Sequence, residues 1–127
     1  MPGPFDYSAG YGSTYAPITR LTISWNGRSR TVPAVIDSGA SRTCIPVNTA
    51  RILGLVRKGD VRTSGATVKE RIPLPRYVVN LKFLGRDFNA NPVLGIERPH
   101  ALIGRDILNE YVTTLDGPAL QYTLTEP

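Results

Sequence analysis

Seven residues, Ala34 to Ala40, read A-V-I-D-S-G-A and constrain the fold more than any other stretch: an apolar strand delivers one acid into a tight turn of small residues. Ala34-Val35-Ile36 lacks the alternation of a half-buried strand, as expected where a strand enters a core and is covered on both faces. A carboxylate directly after such a run is costly to bury unless hydrogen bonds or a partner charge surround it. Asp37 is therefore the first candidate for chemistry, the plain alternative being an aspartate that caps a turn.

The segments around this turn read as short strands. Leu21, Ile23 and Trp25 alternate with Thr22 and Ser24, and Asn26-Gly27 is a strong hairpin signal because both residues tolerate positive φ. The returning strand runs from Arg28 to Ile36. Beyond the turn, Thr43 to Pro46 is expected to be extended, and Val47 to Leu55 to hold a short helix stopped by Gly54. Residues 56 to 75 read as a polar hairpin with its tip near Ser64-Gly65-Ala66, the composition of a mobile cover over a cleft and equally of an ordinary exposed hairpin. Tyr77, Val79, Leu81 and Phe83 alternate, and a turn at Gly85-Arg86 leads into Phe88 to Leu94, a further hairpin. Ala101-Leu102-Ile103 is a second short apolar run ending in a glycine turn, at Gly104. One or two helical turns follow from Arg105 to Tyr111, with Asp106 favourably placed against the helix dipole. A closing hairpin turns at Asp116-Gly117-Pro118, which is turn chemistry and not a second Asp-Ser-Gly. Roughly eight short strands and two short helices make an all-β domain of the barrel or sandwich kind.

A chain of 127 residues fits one domain with one core. Residues 1–16, rich in Gly, Pro and Tyr, form an irregular arm ahead of a domain spanning 17–127; packing along the domain, packing across to a partner subunit and a mobile tail all fit its composition. The lone Cys44 excludes an internal disulfide and a cysteine-rich metal site, and its apolar neighbours point to a small core residue. The lone His100 argues against Ser-His or Cys-His nucleophile schemes and is expected at the surface. Arg20 to Arg86 holds 13 basic and 3 acidic residues, a net +10, against −5 in the remainder. These charges are scattered through strand-like segments without a basic run or interleaved aromatics, so no nucleic-acid partner is expected; a solvated face or a taste for acidic peptide explains them as well. No apolar run approaches the roughly 18 residues of a membrane span. No signal-peptide pattern opens the chain, so a cytoplasmic protein without a membrane partner is expected.

Asp37-Ser38-Gly39-Ala40 after its apolar strand, followed by Leu102-Ile103-Gly104-Arg105-Asp106-Ile107-Leu108 in the same order, resembles the retropepsin-like aspartic peptidases, the single-lobe relatives of the pepsins. The likeness spans roughly Ile18 to Leu124. It implies a retropepsin-like closed barrel or sandwich with one lobe per chain, and a peptidase that uses two carboxylates sharing a proton, one acting as base on a water while the other polarises the scissile carbonyl. The chain supplies one such triplet and is too short for two lobes. The resemblance therefore implies a homodimer in which each subunit contributes its Asp37 across a two-fold axis, inactive as a monomer and needing neither metal nor other cofactor. Ser38 would lock the two turns together, and Gly39 would permit the turn and close approach of substrate. The substrate would be an extended peptide held between the loops and the flaps. Ala40, Ser41, Arg42 and Ile103 are expected to line its subsites, and Ser64, Gly65 and Ala66 to form the flap tip.

One departure stands out. Viral retropepsins commonly carry an aspartate at the position of Ser41, paired with the arginine that corresponds to Arg105. Without that acid, Arg105 must find another partner: Asp106, Glu110 or the second subunit. The competing reading keeps the same fold as a catalytically silent peptide-binding or assembly module. Because Ala40 has no hydroxyl to donate to the carboxylate, and a donor there would favour the anion, cleavage is expected to extend to weakly acidic or neutral pH. A rate profile with a sharp optimum below about pH 3.5 would contradict this.

Overall fold

The computed structural model describes residues 3–9, 14–63 and 72–127. In chain order the elements are β1 (Phe5–Asp6), β2 (Ile18–Trp25), β3 (Arg28–Ile36), β4 (Cys44–Pro46), α1 (Val47–Leu53), β5 (Asp60–Thr63), β6 (Ile72–Phe83), β7 (Arg86–Ile96), β8 (Ala101–Ile103), α2 (Arg105–Leu108), β9 (Val112–Asp116) and β10 (Gln121–Thr125). Six of these strands close a barrel in the order β2-β3-β8-β4-β7-β6, with β6 returning to β2 through Thr22 opposite Lys82 and Ile23 opposite Leu81. Closure pairs both edges of what would otherwise be an open sheet.

The alternation along the strands fills this barrel. Leu21 and Ile23 of β2, Val32, Ala34 and Ile36 of β3, and Tyr77, Val79, Leu81 and Phe83 of β6 all point inward and are buried. Ala50 and Leu53 of α1 and Ile107 and Leu108 of α2 close the same core. The hairpin at Asn26-Gly27 forms with φ of 51° and 79°, the positive values its sequence allows. Trp25 sits half-buried at that hairpin's end, opposite Arg28.

Three features depart from the sequence expectation. The return limb of the polar hairpin and the strand after it are one element, the twelve-residue β6, which pairs first with β5 and then with β7. Pro73 and Pro75 are tolerated because β6 meets β7 only from Arg76 onward, so their missing N–H groups face no second neighbour. The arm expected to be irregular carries β1, which pairs with β10 in a small sheet ordered β1-β10-β9, and Phe5 and Tyr7 stack on Tyr122 at centroid distances of 5.2 and 6.2 Å. His100, expected at the surface, is buried with only 7% of its area exposed, because it leads directly into the core strand β8. The expected tip, Ser64, Gly65 and Ala66, lies outside the described residues. Among the described residues no helix is long and apolar enough to cross a membrane.

Burial, reinforced by the charge of Arg98, holds the His100 imidazole below its ordinary value of 6.5. As pH falls through 6.5 the unfolded chain takes up this proton before the folded one does, so His100 removes stability on the acid side of that value. Urea unfolding measured between about pH 7 and pH 5 is expected to show stability falling with acid in the wild type, and falling less steeply in His100→Gln; identical slopes would refute the assignment.

Candidate active site

The parallel pairing of β3 with β8, Ala34 opposite Ala101 through Ile36 opposite Ile103, lays the two short apolar runs side by side. Their turns therefore abut. Asp37 extends the ladder by one step, its amide donating to the carbonyl of Ile103 at 3.0 Å. The backbone then leaves the barrel: the Ala40 amide donates back to the Asp37 carbonyl at 3.1 Å, and the Gly39 amide donates to the carboxylate Oδ1 at 3.0 Å. Asp37 is half-exposed, with Ser38 and Gly39 exposed beside it. The carboxylate thus stands at the mouth of the core with one fixed donor and an open face. Gly39 is needed for space more than for backbone freedom, since a Cβ there would lie 3.1 Å from Asp37 Oδ1 and press on the carboxylate.

A second acid holds this loop in place. Asp106 accepts from the Thr43 amide through both carboxylate oxygens, at 3.0 and 3.1 Å, and from the Thr43 hydroxyl at 2.8 Å. Thr43 is fully buried, and its Oγ1 accepts in turn from the Gly104 amide at 3.1 Å. Asn91 adds a donor to Asp106 at 3.3 Å, and the Ile107 amide another at 2.9 Å. Asp106 is thus a helix-start residue, as expected, and also the clasp between α2 and the active-site loop. The close approach demands glycine at 104: a Cβ would meet the Arg42 carbonyl carbon at 2.5 Å.

Arg105, whose usual partner is missing, donates from Nη1 to the Ser38 carbonyl at 2.8 Å, while its amide donates to the Ala40 carbonyl at 2.8 Å. It braces the backbone of the turn instead of pairing with an acid. Of the acids considered for it, Glu110 pairs with Arg86 at 2.8 Å and Asp106 serves Thr43.

Beside the turn lies a cleft of about 350 Å³. Gly39, Ala40, Ser41 and Arg42 form one wall, and Leu74 at the base of the β5–β6 ribbon forms another. Ile103 does not reach it. In the short strand β8 residues alternate, so Ala101 and Ile103 are wholly buried in the core and Leu102 between them faces the cleft. Cys44, Leu94, Ile96 and Arg98 complete the lining. Burial, followed by the nearby Asp106 and Asp37 carboxylates, pushes the Cys44 thiol up to about 11, so it is protonated at neutral pH and no nucleophile. A larger hollow of about 660 Å³ lies between the arm and the β2–β3 hairpin, but none of residues 37–42 borders it. Among the described residues no group of three or more His, Cys, Asp or Glu side chains is placed to hold a metal.

The family model for aspartyl proteases matches residues 21–107. The chain belongs to that family. Within it, the barrel is that of the retropepsin-like enzymes. A retropepsin-like aspartic protease from Rickettsia conorii superposes with a TM-score of 0.63 at 15% identity, over 97% of this chain and 91% of that one. The EIAV protease, solved with the inhibitor HBY-793, gives 0.56 at 22% identity over 80% of this chain and 92% of its own. The foamy viral protease-reverse transcriptase gives 0.56 at 20% identity, 76% of this aspartyl protease matching 12% of that longer chain. A comparison with curated proteins finds no match.

Missed by sequence reasoning were the clasp, Leu102 and Arg98. The signal for the first was present in a hydroxyl residue, Thr43, set between the polar turn and the apolar Cys44-Ile45. The reach of Arg98 into the cleft had no local signal. Replacing Thr43 with valine keeps its shape but removes both hydroxyl bonds, leaving a buried acceptor and the Gly104 amide short of a partner. Thr43→Val is expected to lose about 1–3 kcal/mol in urea unfolding, and Gly104→Ala at least as much. Wild-type stability in both would show that the clasp carries no weight.

Proposed function

We propose that this aspartyl protease is a homodimeric endopeptidase in which the Asp37 carboxylates of two subunits share one site. The observation that carries the reading is the placement of Asp37: a half-exposed carboxylate at the end of a buried strand, fixed by one amide donor, two residues before the cleft wall that begins at Gly39, with no carboxylate lining that cleft among the described residues. Asp106, the other acid near it, is bound to Thr43 and Asn91. General acid–base hydrolysis of a peptide needs two groups in opposite protonation states. A second copy related by a two-fold axis supplies the missing one.

The small terminal sheet favours such an assembly. Its outer strand β9 has no neighbour on one side among the described residues, and Val112 and Leu115 stand 54% and 47% exposed along it. An unpaired edge with apolar side chains is a ready surface for a second copy.

In the dimer, one Asp37 as carboxylate takes a proton from the water held between the pair, and the other, protonated, donates to the carbonyl oxygen of the scissile bond. The water oxygen bonds to the carbonyl carbon, giving a tetrahedral diol. Its collapse breaks the C–N bond as a proton passes to the leaving amine, and no covalent intermediate with the protein forms. Ser38 joins the two turns, while Arg105 holds the Ser38 carbonyl and so the orientation of the loop. Ala40, Ser41 and Arg42 lie along the extended substrate.

Incubation with a mixed peptide library, with and without pepstatin, tests this. Wild type is expected to cleave, and Asp37→Asn to lose at least about 1,000-fold in rate while eluting as the same dimer. Cleavage persisting in Asp37→Asn, or full activity in a strictly monomeric sample, would overturn the proposal.

A further inference from the structure

The cleft beside the catalytic turn has a charge that the hydrolytic chemistry does not call for. Its floor is apolar, made by the buried Cys44 and Leu94 with Ile96 and Leu102, and two arginines, Arg42 and Arg98, stand exposed at its rim. Among the described residues no acidic side chain lines it. Neither guanidinium makes a hydrogen bond or an ion pair among the described residues, in contrast to Arg57, Arg86 and Arg105, which are engaged by Asp60, Glu110 and the Ser38 carbonyl. The Asp106 carboxylate is turned towards Thr43, the residue after Arg42, and taken up there. The thiol on the floor is held protonated by its burial and contributes no negative charge. What remains is a hollow of about 350 Å³ with a greasy base and two unanswered positive charges at its lip.

We propose that this hollow is a specificity subsite for an acidic residue of the substrate, glutamate above all, next to the scissile bond. The inference rests on the peptidase reading given above and adds the substrate class to it. The methylenes of a glutamate would lie on Leu94, Ile96 and Leu102, and its carboxylate would reach the rim. There a guanidinium offers a planar pair of donors matched to a carboxylate. Aspartate is shorter and would leave the floor uncovered; lysine or arginine would bring a third positive charge against two fixed ones. A neutral glutamine has the right shape, which makes it the informative comparison. The subsite opens off the wall formed by Gly39 and Ala40, so a side chain in it belongs to a residue within one or two positions of the bond being cut.

Matched fluorogenic peptides carrying Glu, Gln or Lys at each position flanking the cleaved bond test this in the wild-type protein. At one position Glu is expected to exceed Gln in kcat/KM by about five- to tenfold, the worth of a half-solvated ion pair, with Lys below both. In Arg42→Gln with Arg98→Gln the Glu/Gln ratio is expected to fall to near one, and in the double charge reversal to glutamate Lys is expected to overtake Glu. Equal rates for Glu and Gln in the wild type at every position would overturn the proposal while leaving the peptidase reading standing. A second measurement keeps the two separate: fluorescence anisotropy of the same peptides on Asp37→Asn, which needs no turnover. A Glu preference in binding that vanishes with the two arginines supports the subsite even if no peptide is cut, and its absence sinks the subsite whether or not cleavage occurs.

Discussion

The clasp between Asp106 and Thr43 is the contact on which the active-site loop depends. Residues 38–43 leave the barrel after Asp37 and re-enter it at Cys44, and between those points the loop makes few backbone ladder bonds. One bifurcated donation from the Thr43 amide and a second bond from its hydroxyl fasten the far end of the loop to the start of α2. Hydrogen bonds to a charged acceptor are worth about 1.5–3 kcal/mol each. The threonine then passes the constraint on, because its oxygen also receives the Gly104 amide. Loop, strand end and helix start thereby move as one body.

Once the clasp is closed, the rest of the site follows from it. Gly104 must be glycine because the clasp draws the Arg42 carbonyl to within 2.5 Å of where a Cβ would sit. Arg105, adjacent to Asp106 in sequence, is carried to the Ser38 carbonyl, where it braces the turn without an acidic partner. Asp37 itself is left with a single amide donor and an open side, and this economy of partners suits the proton transfer proposed for it. The barrel behind it is rigid. It is a closed ring of six strands around a core of inward-facing aliphatic side chains, so the carboxylate's position is set by the core and not by the loop alone.

The charge of the chain also acquires a location. Its basic excess looked dispersed along strand-like segments, and most of these arginines do stand on solvated faces or in surface ion pairs such as Arg57 with Asp60 and Arg86 with Glu110. Arg42 and Arg98 are different, for they are 56 residues apart in sequence and meet at one hollow. That meeting is a product of β4 pairing with both β7 and β8, which brings the residue after the catalytic turn against the loop that follows β7.

The sequence by itself determined most of the barrel strands, the hairpin turn at Asn26-Gly27, the single lobe and the triplet at residues 37–39, because each rests on a local rule: a period of two, a residue tolerant of positive φ, an apolar run ended by a small-residue turn. What only the tertiary structure decided were partnerships across the chain. Asp106 reads locally as a helix-start acid, and nothing near it announces Thr43, 63 residues earlier. Ile103 and Leu102 are interchangeable in composition, and only the register of β8 against β3 turns the first into the core and the second into the cleft. His100 reads as a polar residue before a strand, and it is buried because the strand it precedes is central to the barrel. Local chemistry sets what each segment becomes, whereas the company a side chain keeps is settled when the barrel closes and distant segments are forced to share a surface.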